Sequence, residues 1–157
     1  MFLKNLVVVM VCIVIAGCMF FRPSISVVRL LSAPEQIEID GRNYILETHL
    51  WRDFMPVSPP DGKPLIASIR ITATDSLQFP PSIDARLLWV IKDQQEVWET
   101  KFSEEARSPC SRYQLEKVAR NGPKWGPGIK VDVVVKIVDG ENEYLLRVSN
   151  QWISRTD

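Results

Sequence analysis

From Lys130 to Ile137 the chain alternates apolar and polar side chains with almost no lapse. Val131, Val133, Val135 and Ile137 fall on one side, and Lys130, Asp132, Val134 and Lys136 on the other. Successive side chains of a strand point to opposite faces, so this segment buries one face as a β-strand, whereas a helix would scatter the same valines around its axis. Asp139-Gly140-Glu141-Asn142 follows, and then a second apolar run from Tyr144 to Val148 that extends towards Ile153. Asp-Gly between two alternating runs is a strong local signal for a β-hairpin.

The same period recurs upstream. Leu65, Ala67, Ile69, Ile71 and Ala73 alternate with Ile66, Ser68, Arg70, Thr72 and Thr74, and Tyr44, Leu46, Thr48 and Leu50 alternate with Ile45, Glu47, His49 and Trp51. Ala85 to Lys92 is apolar on both faces, as in a central strand, and Asp93-Gln94-Gln95 turns it into Val97 to Phe102. Two stretches stay open. Ser111 to Asn121, with Tyr113, Leu115 and Val118, fits a strand or one short helix, and Ile25 to Leu31 fits a spacer or a first strand. Elsewhere Pro and Gly interrupt too often for helices, and no internal repeat is present. The expectation is an all-β fold: a single antiparallel β-sandwich of about seven strands over residues 35–157. The arrangement resembles an immunoglobulin-like domain across roughly residues 36–154. It departs from that pattern in having no cysteine pair between strands and no Tyr near the start of the Val131 strand.

The first residues read as an address. Lys4 is the one charged side chain before the unbroken apolar stretch Leu6 to Ile15, after which come Ala16, Gly17 and Cys18. A basic start, an apolar middle and a small-residue exit describe a secretory signal peptide. Ile15-Ala16-Gly17-Cys18 resembles the lipobox of bacterial lipoproteins. The resemblance implies that residues 1–17 are removed and that Cys18 carries a thioether-linked diacylglycerol and is then N-acylated. Residues 18–34 would be the lipidated cysteine and a spacer, with the bilayer a partner through the acyl chains. The alternative is an uncleaved signal anchor. Leu6 to Phe21 is 16 residues, about 24 Å as a helix against a hydrocarbon core of about 30 Å. Both readings put the domain outside the cytoplasm, on the cell membrane or the outer membrane. By resemblance to enterobacterial sorting, Met19 after the cysteine leans towards the outer membrane.

Composition narrows the functional classes. Of 157 residues, 46% are hydrophobic and 24% charged, the range of a globular chain with a core of its own. Lys plus Arg and Asp plus Glu are both 19, so no net field draws nucleic acid to the chain. With Cys12 in the signal and Cys18 in the lipobox, Cys110 is alone in the expected mature domain, which then has no internal disulfide.

Catalytic patterns are thin. His49 is the sole histidine, and a Cys110/His49 dyad is the one nucleophile-and-base pair that composition allows. There is no Gly-x-Ser-x-Gly elbow, His-Glu-x-x-His helix or Gly-rich phosphate loop. The expectation is a protein that is not an enzyme, with no cofactor. A membrane-displayed enzyme or small-ligand carrier with a site near His49 or Cys110 is the alternative. Zinc lacks ligands of the usual kind. For calcium, Asp53 and Asp61 bracket a long loop, and Asp139, Glu141, Asn142 and Glu143 crowd one turn. Asp, Asn and Gly also favour turns with no metal present, so no metal is expected.

The long loop is the most informative part of the domain. Trp51 to Pro64 joins two clear strands and carries Phe54, Met55 and four prolines. Proline removes backbone freedom, so ordering such a loop against a partner costs little entropy. A second aromatic loop, Gly122 to Gly128, carries Trp125 and lies at the same or the opposite end of the fold. Trp51, Phe54, Met55 and Trp125 are therefore the candidate interaction residues, as large apolar types enriched at interface centres; the alternative is that they fold inward and plug the open ends of the sandwich. Charge is uneven as well. Arg107 to Lys130 holds six basic residues against Glu116, whereas Glu35 to Asp61 holds six acids against two bases, a pattern that can dock a partner. The functional expectation is a membrane-tethered binding or scaffolding module with an envelope protein as partner.

Overall fold

A computed structural model describes residues 24–103 and 111–157. The order of elements is α1 (Val27–Leu31), β1 (Gln36–Ile39), β2 (Arg42–Asp53), β3 (Ile66–Ala73), β4 (Ile83–Lys92), β5 (Glu96–Thr100), β6 (Gln114–Ala119), β7 (Lys130–Asp139) and β8 (Asn142–Thr156). The eight strands form one curled sheet in the order β5-β4-β7-β8-β2-β3-β6, with β1 paired to β2 beside this path. All pairings are antiparallel except β2 with β8.

Strand β8 holds the sheet together. Its first part, from Asn142 to Trp152, pairs with β7, and its end pairs with β2, from Leu50↔Ile153 to Asp53↔Thr156. Near the end of the first part the register shifts between Val131 and Val133, and Asn150 takes a left-handed φ of 55°. Such a bulge bends a strand and raises its twist, which lets one strand serve both halves of the sheet. β1 occupies the rest of the same β2 edge, with Gln36↔Ile45 and Ile39↔Arg42.

The turns follow their sequences. Asp139 pairs with Asn142 across Gly140-Glu141, with Gly140 at φ 58°, a conformation that glycine adopts without steric cost. Lys92 pairs with Glu96 across Asp93–Gln95, as the polar turn predicts. The open stretch 111–121 is resolved as strand β6, with Leu115 and Ala119 inward. The run at 25–31 is neither a spacer nor a strand. Ser26 caps a short helix by accepting from the Arg29 amide at 3.3 Å, and Leu30 then docks onto the sheet.

Two apolar clusters divide the burial. The larger lies on the inner face and takes residues from β1 to β4 and from β6 to β8, including Leu46, Leu50, Ile69, Ile71, Leu88, Val133, Val135, Ile137 and Leu146. The smaller lies on the outer face of β4 and β7, where Leu30 and Ala33 cover Trp89, Ile91 and Val134. That second cluster explains why β4 is apolar on both faces. Burying roughly 25 cal/mol for each Å² of apolar surface, both clusters act as core.

Candidate functional site

The two proline- and aromatic-bearing loops lie at the same end of the sheet, fastened by one residue. Arg52 stands in β2 on the inward side of the alternation and is only 3% exposed. Its Nε donates to the Lys63 carbonyl at 2.9 Å, and its Nη1 donates to the carbonyls of Lys124 and Trp125, each at 3.1 Å. Nη2 donates to the Asp61 carbonyl. Burying a guanidinium is costly unless its N–H groups find acceptors, and four carbonyls supply them here. The planar fork thereby holds residues 61–63 of one loop against 124–125 of the other.

Around this centre the loops are braced by further contacts. Lys124 Nζ meets Asp61 Oδ2 at 2.6 Å, and Lys63 Nζ meets Asp53 Oδ2 at 2.8 Å, while the Met55 amide donates to Asp53 Oδ1 at 2.9 Å. The Lys63 ammonium holds the Asp53 carboxyl below the usual carboxylate range, and the Lys124 ammonium does the same for Asp61. Trp125 donates from Nε1 to Glu96 Oε2 at 3.0 Å, and Lys92 Nζ lies 5.9 Å from its ring centre. Glu96 is likewise held low, first by Lys92 and then by Trp125.

Phe54 folds inward over Gly62. The guanidiniums of Arg52 and Arg155 lie 5.0 and 4.1 Å from its ring centre. Gly62 has φ +75°, and a Cβ there would stand 2.7 Å from the Phe54 ring, so both its conformation and the close approach call for glycine.

The four candidate residues thus share one end but differ in role. Phe54 is packed against the loop, and Trp125 is packed against the core cluster. Met55 is 48% exposed and its neighbour Val57 is 87% exposed. Trp51 lies on the outer face of β2 with its ring stacked on His49, centres 4.9 Å apart and planes at 28°. On β8, Trp152 is 57% exposed beneath the ammonium of Lys130, 4.9 Å from its ring centre. Sequence reasoning missed Arg52 and Trp152. The signal for Arg52 was present, because 52 continues the inward series 46, 48 and 50, where a charge is out of place.

The remaining candidates fall elsewhere. His49 is exposed on the outer face. Cys18 and Cys110 lie outside the described residues, as does Arg107. Asp53 and Asp61 face lysines, and Glu143 Oε1 meets Lys136 Nζ at 2.5 Å. Among the described residues no three His, Cys, Asp or Glu side chains converge as a metal site would require, and no helix is long and apolar enough to cross a membrane. The acidic and basic stretches of the sequence meet each other, since Asp61 belongs to one and Lys124 to the other. No family model matches the chain, no curated protein matches it, and no solved structure matches its fold.

Proposed function

We propose that this chain is a membrane-tethered module of the bacterial cell envelope that binds a protein partner through its loop end. The observation that carries the reading is the Arg52 clamp. It makes a fixed base of two loops while Met55 and Val57 stay exposed at the rim, with Trp152 exposed on the neighbouring strand. A surface whose loops are ordered beforehand loses little entropy on binding, and large apolar side chains supply the contact area. The tether belongs to the proposal through the lipobox-type Ile15-Ala16-Gly17-Cys18. Acyl chains on Cys18 would hold the domain stably at a bilayer, since each buried methylene contributes about 0.8 kcal/mol.

The placement of α1 favours this arrangement. The helix lies on the outer face of β4 and β7, whereas the His49 and Trp51 pair lies on the outer face of β2. The chain therefore enters the fold on one half of the sheet and offers its aromatic pair on the other. The same reading takes the curled sheet as an immunoglobulin-like β-sandwich, on the ground that both halves contribute to one enclosed core. No catalytic step is part of it.

Two measurements test the proposal. The intact mass of protein purified from its host's membranes should equal residues 18–157 plus a diacylglycerol and an acyl chain. An unmodified full-length mass would replace the lipid tether with a signal anchor. A photo-crosslinking residue at Val57 should give a discrete adduct in cells, and the same residue at exposed Leu77, away from the loop end, should not. Equal labelling from both positions would remove the loop end as the contact surface.

A further inference from the structure

The curl brings the two ends of the strand order together. Lys117 of β6 meets Asp84 of β4 at 2.8 Å, and the Ser103 amide, just after β5, donates to the Val118 carbonyl at 2.8 Å. Towards the starts of β4 and β6 the two sides meet at the Phe79 amide, which donates to the Arg112 carbonyl at 2.8 Å, and part above the strands. A cleft of about 550 Å³ opens there between residues 78–86 and 111–115. It lies at the end of the sheet opposite the Arg52 clamp, and His49 does not line it.

Three features give the cleft a chemical character. First, β4 carries a bulge between Ala85 and Leu87, where Arg86 is the extra residue with no partner on β7. Bulges re-aim side chains, and this one leaves Arg86 beside Asp84, with Nε 3.3 Å from Oδ2. Secondly, Arg112 lines the same cleft and makes no ion pair among the described residues. Asp84 is the acid in the lining, and it is already neutralised by Lys117 at 2.8 Å. Among the described residues, Arg86, Arg112 and Lys117 against Asp84 leave an excess of two positive charges. Thirdly, one wall is apolar and rigid. It consists of Phe79, whose ring packs edge-on to Tyr44 with centres 5.6 Å apart, and Pro80-Pro81, while Ser82 adds a hydroxyl.

We propose that this cleft binds a small organic anion, with its carboxylate or phosphate between Arg86 and Arg112 and its apolar body against Phe79 and Pro80. Guanidinium groups suit this task because their fixed fork pairs with planar or tetrahedral oxyanions in two-point contacts. The site is independent of the tether and of the loop end, so it stands or falls separately from the function proposed above.

The test uses the full-length chain in detergent micelles, titrated with phenyl phosphate, phenylacetate and the neutral benzyl alcohol. The expected result is saturable binding of at least one anion, weakened about tenfold or more by Arg86→Gln or Arg112→Gln. Arg29→Gln, a change on α1 remote from the cleft, should leave that affinity unaltered. Thermal midpoints of all three variants should match that of the parent, because these arginines are not in the core. No saturation by either anion up to about 10 mM would overturn the proposal. So would equal binding of benzyl alcohol, or an affinity unchanged in the Arg86→Gln/Arg112→Gln double variant.

Discussion

The guanidinium of Arg52 donates from Nη1 to the carbonyl oxygen of Trp125 at 3.1 Å, across 73 positions of sequence. A single strand residue thereby ties together two loops that share no secondary structure. Replacing Arg52 with Met leaves four carbonyl oxygens of a part-buried site without their donor. The expected cost is about 3 kcal/mol, or a fall of roughly 6–12 °C in thermal midpoint for a domain of this size. Arg52→Lys should recover little of it, since an ammonium lacks the planar fork. Thermal unfolding followed by circular dichroism measures both.

The candidate loop residues should separate by stability. Phe54→Ala removes a ring held between two guanidiniums and should destabilise by about 2 kcal/mol. Trp125→Ala, which loses core packing and the bond to Glu96, should cost a similar amount. Met55→Ala should change stability by no more than about 0.5 kcal/mol, because its side chain reaches into solvent. Urea midpoints of the three variants give the ranking, and a large loss in Met55→Ala would place that side chain in the core.

Helix α1 is part of the domain's packing energy. Leu30 is 1% exposed against Trp89, Ile91 and Val134. Leu30→Ala should cost about 2–4 kcal/mol and speed amide exchange at Ser32 and Ala33. Exchange unchanged at those amides would mean that the helix is held by something other than Leu30.

Asp75 should titrate far below an ordinary carboxylate. Arg42 bonds it through Nε at 2.6 Å and Nη2 at 2.8 Å, and the Leu77 amide adds a third donor, which lowers its pKa to about 2. A depressed pKa means stabilisation that is complete above the unfolded value of about 3.9 and is lost as pH falls through the folded one. The window is therefore about pH 4 to pH 2. Carboxyl carbon shifts followed by nuclear magnetic resonance should show this midpoint, and Arg42→Gln should move it up towards 4.

Tyr44 is 1% exposed, and its hydroxyl has no hydrogen-bond partner among the described residues. Burial pushes its pKa above the usual tyrosine value. Tyr44→Phe keeps the ring that packs against Phe79 and removes a desolvated oxygen, so stability should hold or rise by up to about 1 kcal/mol. A fall in thermal midpoint would show that the hydroxyl is bonded in solution.

Much of the all-β architecture could be read from period-two patterning, because the inner-face valines and isoleucines of β3 and β7 have no other regular way to be buried together. What escaped was long-range or too short to show a period. The four residues of β1 are fewer than an alternation needs, and Ser26 to Leu31 reads as apolar spacing until Leu30 has a surface to dock on. The parallel pairing of β2 with β8 depends on a bulge at Asn150, whose residue type tolerates the left-handed φ but lies inside a long apolar-polar run that reads as one strand. At the loop end the aromatic residues were legible by type, but their sorting into packed and exposed was not. That sorting depends on Arg52 and Gly62, one a charge whose acceptors lie in both loops and the other a vacancy under a ring.

The double service of β8 has a consequence for assembly. Its hairpin with β7 closes over a few residues, but the bond between Thr48 and Gln151 spans 103 positions. Until residues 153–156 arrive, Leu50 to Asp53 of β2 present a bare edge, and bare edges recruit strands from other chains. Contacts of such sequence separation also form slowly. Here the closing pairing waits until β2 and the end of β8 are both present, so the interval of greatest exposure ends only once residues 153–156 have paired.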